Sequence, residues 1–123
     1  MHTLLKAMIL LETIFLIAFS ILPATVVPPT GLPSASGISI EHLLAYLIYG
    51  ILLTLAFRSR KSVLLAGVGM SLFTESIQLF APTRFFDPLD LFANILGIAV
   101  GAGLVCLLLR IQNKPNRFFL SWR

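Results

Sequence analysis

The sequence predicts an all-α fold: one domain, residues 1–123, in which four transmembrane helices form a bundle. Three observations predict it. Hydrophobic residues make up 58% of the chain and charged residues 11%, with mean hydropathy +0.98; soluble domains run nearer about 25% charged. Burying so much apolar surface in a soluble domain of this length is geometrically difficult. Four apolar runs, 4–27, 38–57, 62–80 and 89–109, each approach the roughly 20 residues a helix needs to cross hydrocarbon. The basic residues collect at the ends of these runs. Within lipid the backbone must satisfy itself, so the runs are helices and not open strands.

The first run begins within MHTLLK. Its weak basic region, and Glu12 inside the apolar stretch, favour a retained helix over a cleaved signal peptide. A carboxyl in such a helix is protonated, paired with another helix, or the coupling acid of a transporter. Proline and glycine in PPTGLPSASG end this run and form the first loop, which carries no Lys or Arg. The next loop holds Arg58, Arg60 and Lys61. Lys6 lies at the start of the first run, and Arg110, Lys114, Arg117 and Arg123 follow the last. The excess of positive charge on the cytoplasmic side puts both termini and the 58–61 loop inside, and the 28–37 and 82–88 loops outside. Arg84 is then the one basic residue on the outer side.

A net charge of +4 distributed in this way reads as topology and contact with anionic lipid, and excludes a nucleic-acid partner. The tail mixes Arg117 and Arg123 with Phe118, Phe119 and Trp122, which suits an interfacial anchor. The single Cys106 excludes an internal disulfide and reads as a small buried hydrophobe.

Polar residues recur on one side of three helices. The second carries His42, Tyr46, Tyr49 and Gly50 at i, i+4, i+7 and i+8. The third carries Ser71, Thr74, Glu75 and Gln78 at i, i+3, i+4 and i+7. The fourth begins with Asp87 as an N-cap candidate, Pro88 at the first position and Asp90 in the first turn. Asp90, Asn94, Gly97 and Gly101 then share a side, and the two glycines permit close approach of another helix. Charges near hydrocarbon cost roughly 2.5–3.5 kcal/mol each at a helix centre. The expectation is therefore one outer-side pocket formed by His42, Tyr46, Glu75, Gln78, Arg84, Asp87, Asp90 and Asn94, with Arg84 paired to Glu75 or Asp90. Polar glue between helices is the competing reading of the same residues.

The pattern Glu75-x2-Gln78-x3-Pro82-x-Arg84-x2-Asp87-x2-Asp90-x3-Asn94-x2-Gly97-x3-Gly101, with His42-x3-Tyr46, resembles the signature of the VanZ-like family of bacterial membrane proteins. Ile38 and Ser39 stand where its members often carry an Asp-Lys pair. The resemblance implies a small four-helix envelope protein of the plasma membrane, in a setting of low-level teicoplanin resistance. Three functions compete. The first is an accessory protein that binds membrane lipid, a lipid-linked cell-wall precursor or a lipophilic glycopeptide. The second is an intramembrane enzyme on a lipid-linked phosphate, with Glu75 or Asp90 as base. The third is a small transporter. No cofactor is expected, and no metal-ligand spacing supports metal chemistry through His42, Glu75 and Asp90.

Overall fold

The computed structural model describes residues 2–26, 31, 38–57 and 59–112. Four α-helices follow one another: α1 (His2–Ile21), α2 (Ile40–Ala56), α3 (Arg60–Ile77) and α4 (Pro88–Ile111). A single 3-10 turn, Gln78–Phe80, extends α3. Among the described residues there is no strand. Most of the 28–37 loop, Arg58 and the aromatic tail lie outside the described residues.

The helix starts follow local chemistry. Ser39 caps α2 by accepting from the His42 backbone N–H, and Ser59 caps α3 by accepting from Ser62. Asp87 caps α4, accepting from Leu89 N–H at 2.8 Å, and Pro88 follows inside the first turn. The α1 helix stops at Ile21, short of the expected residue 27. Pro23 explains this, because its ring disfavours helical geometry at Leu22 and it has no N–H to continue the ladder.

α1, α3 with its 3-10 extension, and α4 are long and apolar enough to cross a membrane; α2 is apolar but has only 17 residues. At about 1.5 Å per residue α2 rises roughly 25 Å, a little under the hydrocarbon thickness. It is the most enclosed of the four, with Tyr46, Tyr49, Gly50, Leu52, Leu53 and Thr54 all buried.

The closest packing joins α2 to α4, which run in the same direction. A Cβ added at Gly97 would lie 2.5 Å from the Leu43 carbonyl oxygen, and one at Gly101 would strike that of Leu47. Reciprocally, a Cβ at Gly50 would lie 2.7 Å from the Ile98 carbonyl oxygen. Only glycine lets the two backbones meet here. Ile98 then reaches α3, where Gly67 leaves room for its side chain. Leu16, Tyr46, Tyr49, Leu53, Val63 and Ile98 form the apolar core, so each helix contributes. The large exposed residues on the outer faces, such as Leu10, Leu11, Leu65 and Leu108, suit contact with lipid chains.

Candidate functional site

The start of α2, the end of α3, the α3–α4 turn and the start of α4 meet at one end of the bundle. The glycine contact sets the geometry there. Gly97 rests on Leu43, so Asn94, one turn earlier on α4, is brought level with His42 on α2. The His42 Nδ1 and Asn94 Oδ1 are 3.0 Å apart. On its other side Asn94 donates through Nδ2 to Glu75 Oε1 at 3.1 Å. An ionised carboxylate only accepts, so Asn94 must turn its NH2 toward Glu75 and its carbonyl toward His42. With Glu75 ionised, His42 Nδ1 is then the protonated nitrogen. The opposite ring nitrogen, Nε2, lies 3.7 Å from Asp90 Oδ2, and Nδ1 is 3.6 Å from Glu75 Oε1.

Burial grades along this chain. His42 and Asp90 keep about a fifth of their side-chain surface exposed, whereas Asn94 and Glu75 are fully buried. Glu75 Oε2 and Ser71 Oγ, one turn apart on α3, are buried and, among the described residues, make no hydrogen bond, although the Asp87 backbone lies toward Glu75. Most buried polar atoms are paired, so two such atoms on one helix face mark polar space and not ordinary core.

Tyr46 makes a second buried polar contact. Its hydroxyl donates to Thr74 Oγ1, with the Met70 carbonyl 3.3 Å away. Thr74 in turn donates to the Ser71 carbonyl. These bonds let hydroxyls sit inside an apolar bundle.

Arg84 departs from the expectation. Among the described residues it pairs with neither Glu75 nor Asp90: Nε donates to the Leu22 carbonyl at 3.2 Å and Nη2 to the Phe19 carbonyl at 3.3 Å. The last carbonyls of a helix lack internal partners, and Pro23 supplies no N–H to cover them. The guanidinium therefore caps α1. Thr83, in the left-handed region at φ 64°, assists by accepting from the Ala24 N–H at 3.2 Å. Together they fasten the α3–α4 turn to the end of α1. Glu12, expected to be protonated or paired, forms no ion pair among the described residues and stands half-buried midway along α1.

A groove of about 580 Å³ runs between α1 and α2. Phe15, Leu16, Phe19, Leu44, Ala45 and Ile48 form its apolar walls. Its polar end presents His42, Tyr46, Thr74, Gln78 and Arg84, and Glu12 and Glu41 also line it. Of the eight residues expected to share a pocket, His42, Glu75, Asp90 and Asn94 form one connected chain, while His42, Tyr46, Gln78 and Arg84 face the groove. Asp87 lies at the same end as the α4 cap. Sequence reasoning passed over the α1 wall: Phe15 and Phe19 recur at i and i+4, but so do many apolar pairs in that run. Among the described residues no group of three or more His, Cys, Asp or Glu is arranged to hold a metal ion.

The fold and the site together define a small helical membrane protein with a polar junction at one end and an apolar-walled groove beside it. A family model described as VanZ/LLP1 matches residues 3–110 of the 123, and the chain belongs to that family. Neither the curated proteins nor the solved structures contain a match.

Proposed function

We propose that the protein is a multi-pass component of the bacterial plasma membrane, with both termini in the cytoplasm, that binds an anionic amphiphile of the cell envelope. The ligand class is a lipid-linked cell-wall precursor or a lipophilic glycopeptide, which share an apolar chain and an anionic group. One observation carries this reading: the groove between α1 and α2 joins apolar walls to a polar end that includes Arg84. Arg84 gives two N–H groups to backbone carbonyls and, among the described residues, meets no carboxylate within ion-pair distance. A guanidinium has five donors, so three remain for a phosphate or carboxylate at the end of the groove. Membership of the VanZ/LLP1 family supports the envelope setting. An acid–base enzyme acting on a lipid-linked phosphate is the second reading, favoured by His42 standing in the groove wall with a carboxylate near each ring nitrogen.

Native mass spectrometry of the gently extracted protein tests the main reading. Wild type is expected to retain an anionic amphiphile, and Arg84→Gln to lose it. Arg84 also fastens α1, so Thr83→Val serves as the control: it removes the neighbouring fastening and keeps the guanidinium. Thr83→Val should retain the ligand. Retention by Arg84→Gln equal to wild type would overturn the proposal. Growth under teicoplanin, with and without the expressed protein, separates a glycopeptide from a cell-wall precursor as the source.

A further inference from the structure

Asp90, His42, Asn94 and Glu75 form a polar chain that leads from partly exposed groups to a fully buried carboxyl. We propose that this chain is a proton-binding site: Glu75 takes up and returns one proton, exchanged with the groove through His42, while Asn94 switches its amide between two states. The proposal rests on the network's own geometry and does not depend on what occupies the groove.

Three features point to it. His42 lines the groove, and its two ring nitrogens face different acids, Nε2 toward Asp90 and Nδ1 toward Asn94 and Glu75. An imidazole placed in this way accepts a proton on one nitrogen and releases one from the other. Next, the charges do not balance. With His42 neutral, the Asp90 and Glu75 carboxylates place two negative charges in a largely apolar bundle, and uptake of one proton halves that charge. Finally, Glu75 Oε2 is fully buried and, among the described residues, makes no hydrogen bond, as is true of Ser71 Oγ one turn away on the same face, with the Asp87 backbone the polar group directed at Glu75.

Asn94 makes both protonation states consistent. In the unloaded state His42 Nδ1–H donates to Asn94 Oδ1, and Asn94 Nδ2–H donates to the Glu75 carboxylate. For loading, Nε2 takes a proton from groove water, the Nδ1–H bond breaks, and an O–H bond forms on Glu75. His42 is again neutral, with its proton now on Nε2 and directed at Asp90. The Asn94 amide turns over, so that its carbonyl accepts from Glu75 O–H and its NH2 donates to Nδ1. Each hydrogen bond is remade with donor and acceptor reversed, and the net change is one proton gained.

Charged and titratable groups face the chain from every neighbouring element. Glu12 of α1 and Glu41 of α2 line the same groove, as do Tyr46 and Arg84. The Asp87 backbone lies toward Glu75 from the α3–α4 turn, and Asp90 sits at the start of α4. The acids couple, so the site titrates as a unit and its carboxyls must be told apart by labelling.

Infrared spectroscopy of the full chain in phosphatidylcholine vesicles, grown with isotopically labelled glutamate, reads the proton directly. The chain has three glutamates, Glu12, Glu41 and Glu75, so the double variant Glu12→Gln/Glu41→Gln leaves Glu75 as the only one. That protein should show a label-sensitive carboxylic-acid carbonyl band that is lost as pH rises. In His42→Phe the deuterium exchange of this band should slow by a factor of about ten or more. The same titration on labelled wild type needs no substitution. Absence there of a label-sensitive acid band at every pH overturns the proposal, as does a Glu75 band whose exchange ignores the loss of His42. Neither result bears on ligand retention, so this proposal and the groove reading fail separately.

Discussion

At the scale of single residues, Asn94 meets two opposite demands with one amide. His42 offers it a proton and Glu75 asks for one, at 3.0 and 3.1 Å. Leucine has nearly the same bulk and meets neither demand. A buried group stripped of its partner loses its desolvation compensation, about 1–3 kcal/mol. Asn94→Leu is therefore expected to lower stability by about that amount. Asn94→Asp should cost more, because it sets a carboxylate against Glu75 in a buried site. Asp87→Asn keeps a side-chain oxygen for the Leu89 N–H and should melt with wild type, since Asn and Asp cap equally well. Thermal unfolding in detergent, followed by helical circular dichroism, checks the order. An Asn94→Leu protein as stable as wild type would show that the two hydrogen bonds contribute nothing.

At the scale of elements, the α2–α4 pair positions the site. Gly97, Gly101 and Gly50 each touch backbone of the facing helix, whereas Gly69 and Gly103 face open space. Both groups lie inside helices and differ only in what surrounds them. Alanine at Gly97 or Gly101 should cost about 1–3 kcal/mol, because backbone cannot yield as a side chain does. Alanine at Gly69 or Gly103 should cost nothing, and reduced backbone entropy favours it by about 0.5–1 kcal/mol. Melting all four variants side by side tests the contrast, and equal losses would show a general intolerance unrelated to packing. The Gly97-x3-Gly101 stripe was legible in the sequence because helical spacing puts small residues on one side whatever they face. The same periodicity exposed the His42, Glu75 and Asn94 stripes. The partner of Arg84 was not legible in that way. It depends on which carbonyls α1 leaves unpaired, and so on Pro23 ending the helix six residues before the apolar run does. Charge complementarity pointed to Glu75 or Asp90, but a hydrogen-bond deficit in the backbone took the guanidinium instead.

At the scale of the whole molecule, the contacts fix how the helices alternate. Arg84 reaches Phe19 and Leu22 near the end of α1, and Asn94 joins the start of α2 to the end of α3. The ends of α1 and α3 and the starts of α2 and α4 therefore share one end of the bundle, which is the arrangement of four successive spans. The orientation rests on Arg60, Lys61 and Arg110 gathering at the opposite end from the polar junction. The prediction is that the polar junction and the groove mouth open to the outside. With Cys106 replaced by alanine, Ser34→Cys in the first loop should react with an impermeant thiol reagent on intact cells. Ser59→Cys, beside Arg60, should react only after the membrane is opened. Ser59 lies at the α3 cap and is partly exposed, so its labelling reports membrane sidedness and not burial in the bundle. The reverse pattern would put His42 and Arg84 in contact with the cytoplasm. The bundle itself would stand, but a ligand arriving from the outer leaflet could not reach the groove by its polar end.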